Sequence, residues 1–301
     1  IHKSKMRILF HVGVGNLDRP HRWGFVNTNF SNLARTFEKL GHECLVYAHP
    51  SAKTNQPFHK TIYSSTVNSI SFKPDWVFTW NGVSEGDQEI IKMFGEDKMI
   101  FGELGFFDHY STLYFDFKGV NGKSENLTQE LSNFSPGIYQ QILKKYHKLR
   151  TFTEPFIFVP LQDEGDTQIT KYSPFTKMQQ LIDYVCEMYK DSDIKILYKK
   201  HPKVDCKIIP GRNCIEVKDN IHHFLPYADK VIGINSTALL EALIYHDRVV
   251  TIGKGISSRK LIGDEHKQYI THLAQKQFPW SEMGNLDKIK NSYFYRKMIA
   301  V

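Results

Sequence analysis

Nowhere in the 301 residues does an uninterrupted apolar run approach the length of about 18 that a membrane-spanning helix needs, so any membrane contact is expected to be peripheral. Cysteine is scarce. Cys44, Cys186, Cys206 and Cys214 are scattered without tight spacing, which excludes a disulfide scaffold and leaves reduced thiols as the simpler expectation. The start shows no signal-peptide pattern, and a cytoplasmic location is expected. Low-complexity tracts and short internal repeats are also missing, and 19 Gly with 12 Pro are too few for a collagenous chain.

What is there suits a globular protein: 41% apolar, 24% charged and 13% aromatic residues. Single cores stop growing near this length, so two domains of about 150 residues are the default. Lys and Arg number 39 against 32 Asp and Glu, a formal net charge of +7 that favours acidic partners. Basic and aromatic content together raise the question of nucleic acid. The charges are mixed throughout, however, no RRM, KH or zinc-finger pattern emerges, and most aromatics fall at core positions, so no nucleic-acid partner is expected. The runs KKYHKLR and YFYRK read first as solvated faces, and they also suit peripheral contact with an anionic inner-membrane surface.

Along the chain, strand and helix signals alternate. A strand over residues 7–12, a glycine-containing loop and a helix over 29–40 closed by Gly41 are followed by CLVYA, DWVFTW, a helix around 87–94 and a strand at 98–101. Residues 104–135 lack a clear period. A helix over 138–149 leads to a domain boundary near residue 150, after which FIFVPLQ, a helix over 175–189, IKILYKK, a helix-like stretch near 222–225, KVIGI, a helix over 238–245 and VVTIG restart the alternation. The expected division is 1–150, an N-terminal Rossmann-like acceptor-side domain; 151–275, a C-terminal Rossmann-like nucleotide-binding domain; and 276–301, a helical segment packing back across them. Periodicity alone permits several two-domain α/β enzymes.

Chemistry-bearing residues gather just past the predicted strands. In GINSTALLEAL, Asn235, Ser236 and Thr237 stand where a strand meets an apolar helix, so they read as caps whose helix-terminal N–H groups also suit a phosphate. Glu241, one turn in, is placed to accept bonds from ribose hydroxyls, or is a solvated helix residue. Lys200 and His201, following IKILYK, put cations at the edge where open α/β sheets bind ligands. That loop also reads as a plain basic turn closed by Pro202. Glu103 in FGELGFF and Asp163, Glu164 and Asp166 in VPLQDEGDTQI offer carboxylates, one group in each half, for proton transfer and nucleophilic attack at a sugar carbon. Each also reads as part of a solvated turn.

No metal is expected. The one Asp-x-Asp, Asp191-Ser192-Asp193, lies between a helix and the start of a strand, at the sheet edge away from the expected site. Cys206, Cys214, His222 and His223 lack a CxxC knuckle.

Taken in order, GELGFFDHYSTLYFDFKGVNG, VPLQDEGDTQI, KKHP and GINSTALLEAL resemble the bacterial retaining β-Kdo glycosyltransferases of capsule and lipopolysaccharide biosynthesis, over roughly residues 75–255. The resemblance implies a GT-B architecture, two Rossmann-like domains facing a central cleft. It implies transfer of Kdo, an eight-carbon 2-keto acid sugar, from CMP-β-Kdo to a glycan or lipid-linked glycan acceptor with retention through a covalent Asp-linked intermediate, and no further cofactor. Carried over by position, Asp166 becomes the nucleophile and Glu103 the acid/base, with Asp163 a second carboxylate. His201, Lys200, Asn235, Ser236, Thr237 and Glu241 fall to the CMP site. A different nucleotide-sugar donor used by single displacement, or a non-catalytic sugar-nucleotide or glycan-binding module, are the alternatives.

Overall fold

The computed structural model describes residues 5–16 and 21–301. The first stretch of chain forms β1 (Arg7–Val12), α1 (His21–Lys39), β2 (Glu43–Ala48), β3 (Thr61–Tyr63), β4 (Trp76–Trp80), α2 (Glu85–Phe94), β5 (Met99–Leu104) and β6 (Thr112–Asp116). The middle follows with α3 (Pro136–Tyr146), β7 (Phe156–Pro160), α4 (Thr167–Tyr172), α5 (Met178–Met188), β8 (Lys195–Lys199) and β9 (Cys214–Glu216). The remainder is β10 (Lys230–Gly233), α6 (Thr237–Ala242), β11 (Val249–Thr251), α7 (Glu265–Lys276), β12 (Gln277–Pro279), α8 (Leu286–Lys290) and α9 (Tyr293–Ala300).

Contacts divide the chain into two units, Ile1–Val120 with Gln275–Val301, and Asn121–Ala274. The first holds a seven-stranded sheet in the order β12-β6-β5-β4-β1-β2-β3. Its strands from β5 to β3 pair in parallel, and β6 and β12 join antiparallel. Phe10 of β1 packs on Phe78 of β4 at 4.9 Å and on Phe30 of α1 at 5.5 Å between ring centroids, so aromatic side chains fill the layer between sheet and helix. Each such buried ring contributes about 1.5–3 kcal/mol. The second unit has a five-stranded, wholly parallel sheet ordered β11-β10-β7-β8-β9. Strand β7 is buried at all five positions, the continuous apolar pattern a parallel central strand requires.

Two expectations are revised. Residues 121–150, assigned by sequence to the first half, bond within the second unit: Ser132 N donates to His272 Nδ1 at 2.9 Å, and Arg259 Nη1 donates to the Asn126 and Gln129 carbonyls at 2.8 and 2.6 Å. The segment 276–301 is not one helix. It begins as β12 beside β6, then breaks at Ser292, whose Oγ accepts from Tyr295 N and so starts α9 afresh. Ile289, Phe294 and Met298 enter the core of the first unit, whereas Leu286 is 38% exposed.

Candidate functional site

In the second unit, β10, β7 and β8 are neighbours running the same way, so the segments after their carboxyl ends emerge along one edge. At about 4.8 Å per strand, the three exits span roughly 10 Å. They carry Ser236 and Thr237, Asp163 to Asp166, and Lys200 with His201.

After β7, Gln162 and Asn235 bind one another reciprocally. Gln162 Nε2 donates to Asn235 Oδ1 at 2.9 Å, and Asn235 N donates to Gln162 Oε1 at 3.1 Å. The Asn235 amide also donates to the Gln168 carbonyl at 2.8 Å and the Lys254 carbonyl at 3.2 Å. With 3% of its surface exposed, Asn235 is a clamp joining three loops. Gly253 allows the β11 loop to close on this clamp, because a Cβ there would lie 2.5 Å from the Tyr172 carbonyl oxygen.

The three acidic side chains of the β7 loop have different work. Asp163 Oδ1 accepts from Gly165 N at 2.9 Å and closes a turn. Glu164 accepts from Met178 N at 3.0 Å at the start of α5, and its other oxygen is 3.1 Å from Lys177 Nζ. Asp166 caps α4 through Oδ1, which accepts from Gln168 N at 2.9 Å. Its Oδ2 is not engaged among the described residues, so Asp166 keeps one carboxylate oxygen for another purpose.

After β8, His201 Nδ1 accepts from Lys203 N at 3.1 Å. In the neutral ring that bond places the proton on Nε2, which becomes a donor. Lys200 Nζ donates to Asp205 Oδ1 at 3.0 Å, and this bond holds its ammonium pKa above the ordinary value. Lys199, Lys200, His201 and Lys203 line, with Glu216 and Lys218 from the β9 side, a cavity of about 710 Å³. This concavity was not anticipated from sequence, since it needs the pairing of β8 with β9, a three-residue strand too short to read.

At the end of β10, Ser236 is the N-cap of α6 but makes no capping bond. Its Oγ is enclosed and has no hydrogen-bond partner among the described residues. Thr237 beside it is exposed. Glu241, expected at the ribose, has a protein neighbour of its own. Its Oε1 is 3.7 Å from His222 Nε2, and His222 Nδ1 meets Tyr245 Oη at 2.6 Å, so the carboxylate belongs to a half-buried cluster along the flank of α6. Burial and the neighbouring Glu241 charge raise the Tyr245 hydroxyl pKa.

Asp191 and Asp193 precede β8 at its amino end, and Asp193 pairs with Arg212 at 2.9 Å. Among the described residues, no group of three His, Cys, Asp or Glu side chains is arranged to hold a metal.

In the first unit, Glu103 sits at the end of β5. Its Oε1 accepts from Leu104 N at 2.8 Å and its Oε2 from Asn81 Nδ2 at 3.2 Å. Asn81 follows β4 with φ at 70°, and its N–H donates to the Gly102 carbonyl at 2.8 Å. The Trp80-Asn81-Gly82 sequence carried this signal, an Asn-Gly pair directly after a strand, and sequence reasoning passed over it. A second unforeseen group lies inside the sheet. His11 Nδ1 is 2.9 Å from Thr79 Oγ1 and 3.1 Å from Asp87 Oδ1, and Thr79 Oγ1 donates to the same carboxylate at 2.9 Å. Burial alone would raise the Asp87 carboxyl, but the hydrogen bond and charge of His11, with bonds from Ser84 and Thr79, outweigh it and hold the pKa below the ordinary value. This group fixes the start of α2, where Asp87 and Ser84 form a capping box.

Two Rossmann-like sheets, each with candidate site residues past the carboxyl ends of its strands, make a GT-B fold. Among solved structures, Thermosulfurimonas dismutans KpsC, beta Kdo 2,7 transferase, is similar with a TM-score of 0.58 at 17% identity, over 94% of this chain and 100% of that one. Thermosulfurimonas dismutans KpsC, beta Kdo 2,4 transferase, is similar with a TM-score of 0.52 at 14% identity, over 90% and 91%. At these identities the likeness is one of fold. A sequence model of the capsule polysaccharide biosynthesis protein family matches residues 108–281, more than half of the chain, and the chain belongs to that family. It is 28% identical over 200 residues to Protein FixF of Sinorhizobium fredii (strain NBRC 101917 / NGR234), covering 60% of this chain and 49% of FixF. The chain thus spans about half the length of the curated relative it matches.

Proposed function

We propose that the chain is a retaining glycosyltransferase that moves β-Kdo from CMP-β-Kdo to a bacterial surface-glycan acceptor. The observation that carries this reading is the carboxyl edge of the second unit, where an unspent Asp166 oxygen, the His201 Nε2 donor and the unpartnered Ser236 Oγ emerge from three adjacent strands. Membership of the capsule polysaccharide biosynthesis family and a fold shared with the two KpsC beta Kdo transferases support the choice of sugar.

In this reading the donor phosphate takes donors from Ser236, Thr237 and His201, and the basic cavity that includes Lys200 neutralises the negative charge of nucleotide and sugar acid. Asp166 Oδ2 attacks the anomeric carbon, the bond to the phosphate oxygen breaks, and CMP departs with the electron pair. The oxygen of an acceptor hydroxyl then displaces Asp166 as its proton passes to a base, a role that falls to Glu103 by the resemblance, so two inversions retain the β configuration. Asp163 shapes the loop that presents Asp166, and Asn235 holds it. Glu241 acts through the His222 cluster and steadies α6. No cofactor is required, because a single phosphate on the donor is neutralised by Lys and His side chains. The partners are the CMP-sugar and a glycan or lipid-linked glycan, met by a cytoplasmic enzyme whose basic runs touch the inner-membrane surface.

Donor-hydrolysis assays with CMP-Kdo and with UDP-sugars test the donor. Release of CMP from CMP-Kdo, with UDP-sugars left intact, is expected. Turnover of a UDP-sugar instead would move the chain to another GT-B chemistry, and binding of CMP without any turnover would make it a binding module.

A further inference from the structure

In the second unit, the loop 200–213 joins β8 to β9 and carries Lys200, His201 and Lys203 along the wall of the basic cavity. It is moored to α5 at two places. Ile209 N donates to Gln179 Oε1 at 2.7 Å, and Gln179 Nε2 donates back to the Ile209 carbonyl at 3.0 Å. Two turns further along α5, the Cys186 sulfur lies 3.0 Å from that of Cys214, the residue that opens β9. Gly211 lets the loop come down on the helix here, since a Cβ at that position would lie 3.0 Å from Cys186 Sγ, and its carbonyl accepts from Cys214 N at 3.2 Å.

At 3.0 Å the two sulfurs are closer than the about 3.5–4.0 Å of ordinary non-bonded contacts, so a bond between them needs little movement. Neither residue is sealed in. Both are half-buried, and Cys186 lines, with Tyr189, Ser192, Arg212 and Asn213, a cavity of about 150 Å³, room for a molecule of a few heavy atoms. The other two cysteines are set apart from this opening: Cys44 is 1% exposed in the first unit, and Cys206 lines a different cavity, beside Asp163 and Glu164.

We propose that Cys186 and Cys214 form a redox-active dithiol, oxidised to a disulfide by a small peroxide that enters beside Cys186, and that this disulfide staples the end of the basic loop to α5. The Cys186 sulfur takes an OH group from hydrogen peroxide as the O–O bond breaks, and the departing hydroxide leaves as water with the thiol proton, giving a sulfenic acid. The Cys214 sulfur then attacks that sulfur, the S–O bond breaks and a second water leaves. Two thiols are thereby oxidised to one disulfide, and one peroxide is reduced to two waters. In a reducing compartment such a bond is transient, formed under oxidant and removed by thiols. The proposal does not depend on which nucleotide or sugar the cavity takes.

Treating the reduced full chain with hydrogen peroxide, then alkylating it in denaturant and mapping its peptides, tests the pairing. The expected product is a monomer about 2 Da lighter, with Cys186 linked to Cys214, Cys44 and Cys206 still alkylated, and the bond reversed by dithiothreitol. In Cys214→Ser, dimedone is expected to trap a sulfenic acid at Cys186, and in Cys186→Ser, Cys214 is expected to stay a thiol. Hydrogen exchange of peptides from 200–213 is expected to slow by about fivefold on oxidation of the parent chain and to be unaltered by peroxide in either variant. Retention of all four thiols under peroxide that oxidises free glutathione, or pairing through Cys206 or between two chains, would overturn the dithiol. A Cys186–Cys214 bond that leaves exchange of the loop unchanged would overturn the staple.

Discussion

The side chain of Gln162 both donates to the Asn235 side chain, at 2.9 Å, and accepts from the Asn235 backbone, at 3.1 Å, tying the exit of β7 to the exit of β10. Two loops that carry separate parts of the proposed donor site are thereby fixed to each other before any ligand arrives. Such preorganisation lowers the ordering cost of binding.

Removing this clamp is expected to act first on stability. Asn235→Ala leaves the Gln162 amide and the Gln168 and Lys254 carbonyls without their buried partner, a cost of about 2–4 kcal/mol. Because both residues serve one interaction, the double variant with Gln162→Ala is expected to lose less than the sum of the two single losses. Urea denaturation of the four proteins checks this, and additive losses would show that the pair is not coupled.

Asp166 has two duties that one substitution separates. Asn caps a helix about as well as Asp, so Asp166→Asn is expected to keep stability within about 0.5 kcal/mol while abolishing transfer. Asp166→Ala loses the cap as well and is expected to cost about 1 kcal/mol. Thermal unfolding beside an assay of Kdo transfer distinguishes them, and full turnover by Asp166→Asn would remove this residue from the chemistry.

Acid is expected to weaken the second unit through His246. Its Nε2 meets the Leu225 carbonyl at 2.7 Å and its Nδ1 accepts from Arg248 N at 3.2 Å, an arrangement for the neutral ring, and burial lowers its pKa to about 4. Above the ordinary histidine value the ring is neutral in both folded and unfolded chains. As pH falls from there toward about 4, the unfolded chain gains a proton that the folded one refuses, and up to about 3 kcal/mol is lost. His42 acts in the same direction in the first unit. Its pKa is lowered by burial, its Nδ1 accepts from Met6 N at 3.1 Å and its Nε2 meets Tyr295 Oη at 2.7 Å. Denaturation at about pH 7 and about pH 5 is expected to show a smaller loss in His246→Gln than in the parent chain.

The elements that sequence made legible are those whose pattern is local. Strand β1 is read with its boundaries, and β4, β7, β8 and β10 stand close to where their apolar runs predict. Strand β6 escaped because TLYFD has a polar residue at each end and only three apolar ones between, too short a run to stand out from the mixed chain on either side. The carboxylates and caps of the proposed donor edge were legible because each directly follows a strand. Which of them is already occupied was not, since the Glu164 bond to α5 and the His222 cluster around Glu241 depend on neighbours brought in by folding. The His11–Asp87 group joins residues 76 positions apart, and no local spacing announces it.

Thiol chemistry offers a check on burial. Cys44 and Cys214 have pKa values pushed up to about 12, in both cases chiefly by burial, with Glu38 adding to the first and the Cys186 sulfur, 3.0 Å away, to the second. Near neutral pH roughly one thiol in ten thousand or fewer is then ionised, so iodoacetamide is expected to label neither until the chain unfolds. Rapid alkylation of Cys214 in the native protein, located by peptide mapping, would contradict this packing.

The most direct measurement is intact-mass spectrometry of the full chain after incubation with CMP-Kdo in the absence of acceptor, followed by peptide mapping. An adduct of one Kdo residue on the peptide containing Asp166, absent from Asp166→Asn, is the predicted result. Release of CMP with no sugar bound to the protein at any time, or an adduct on a different carboxylate, would contradict the account.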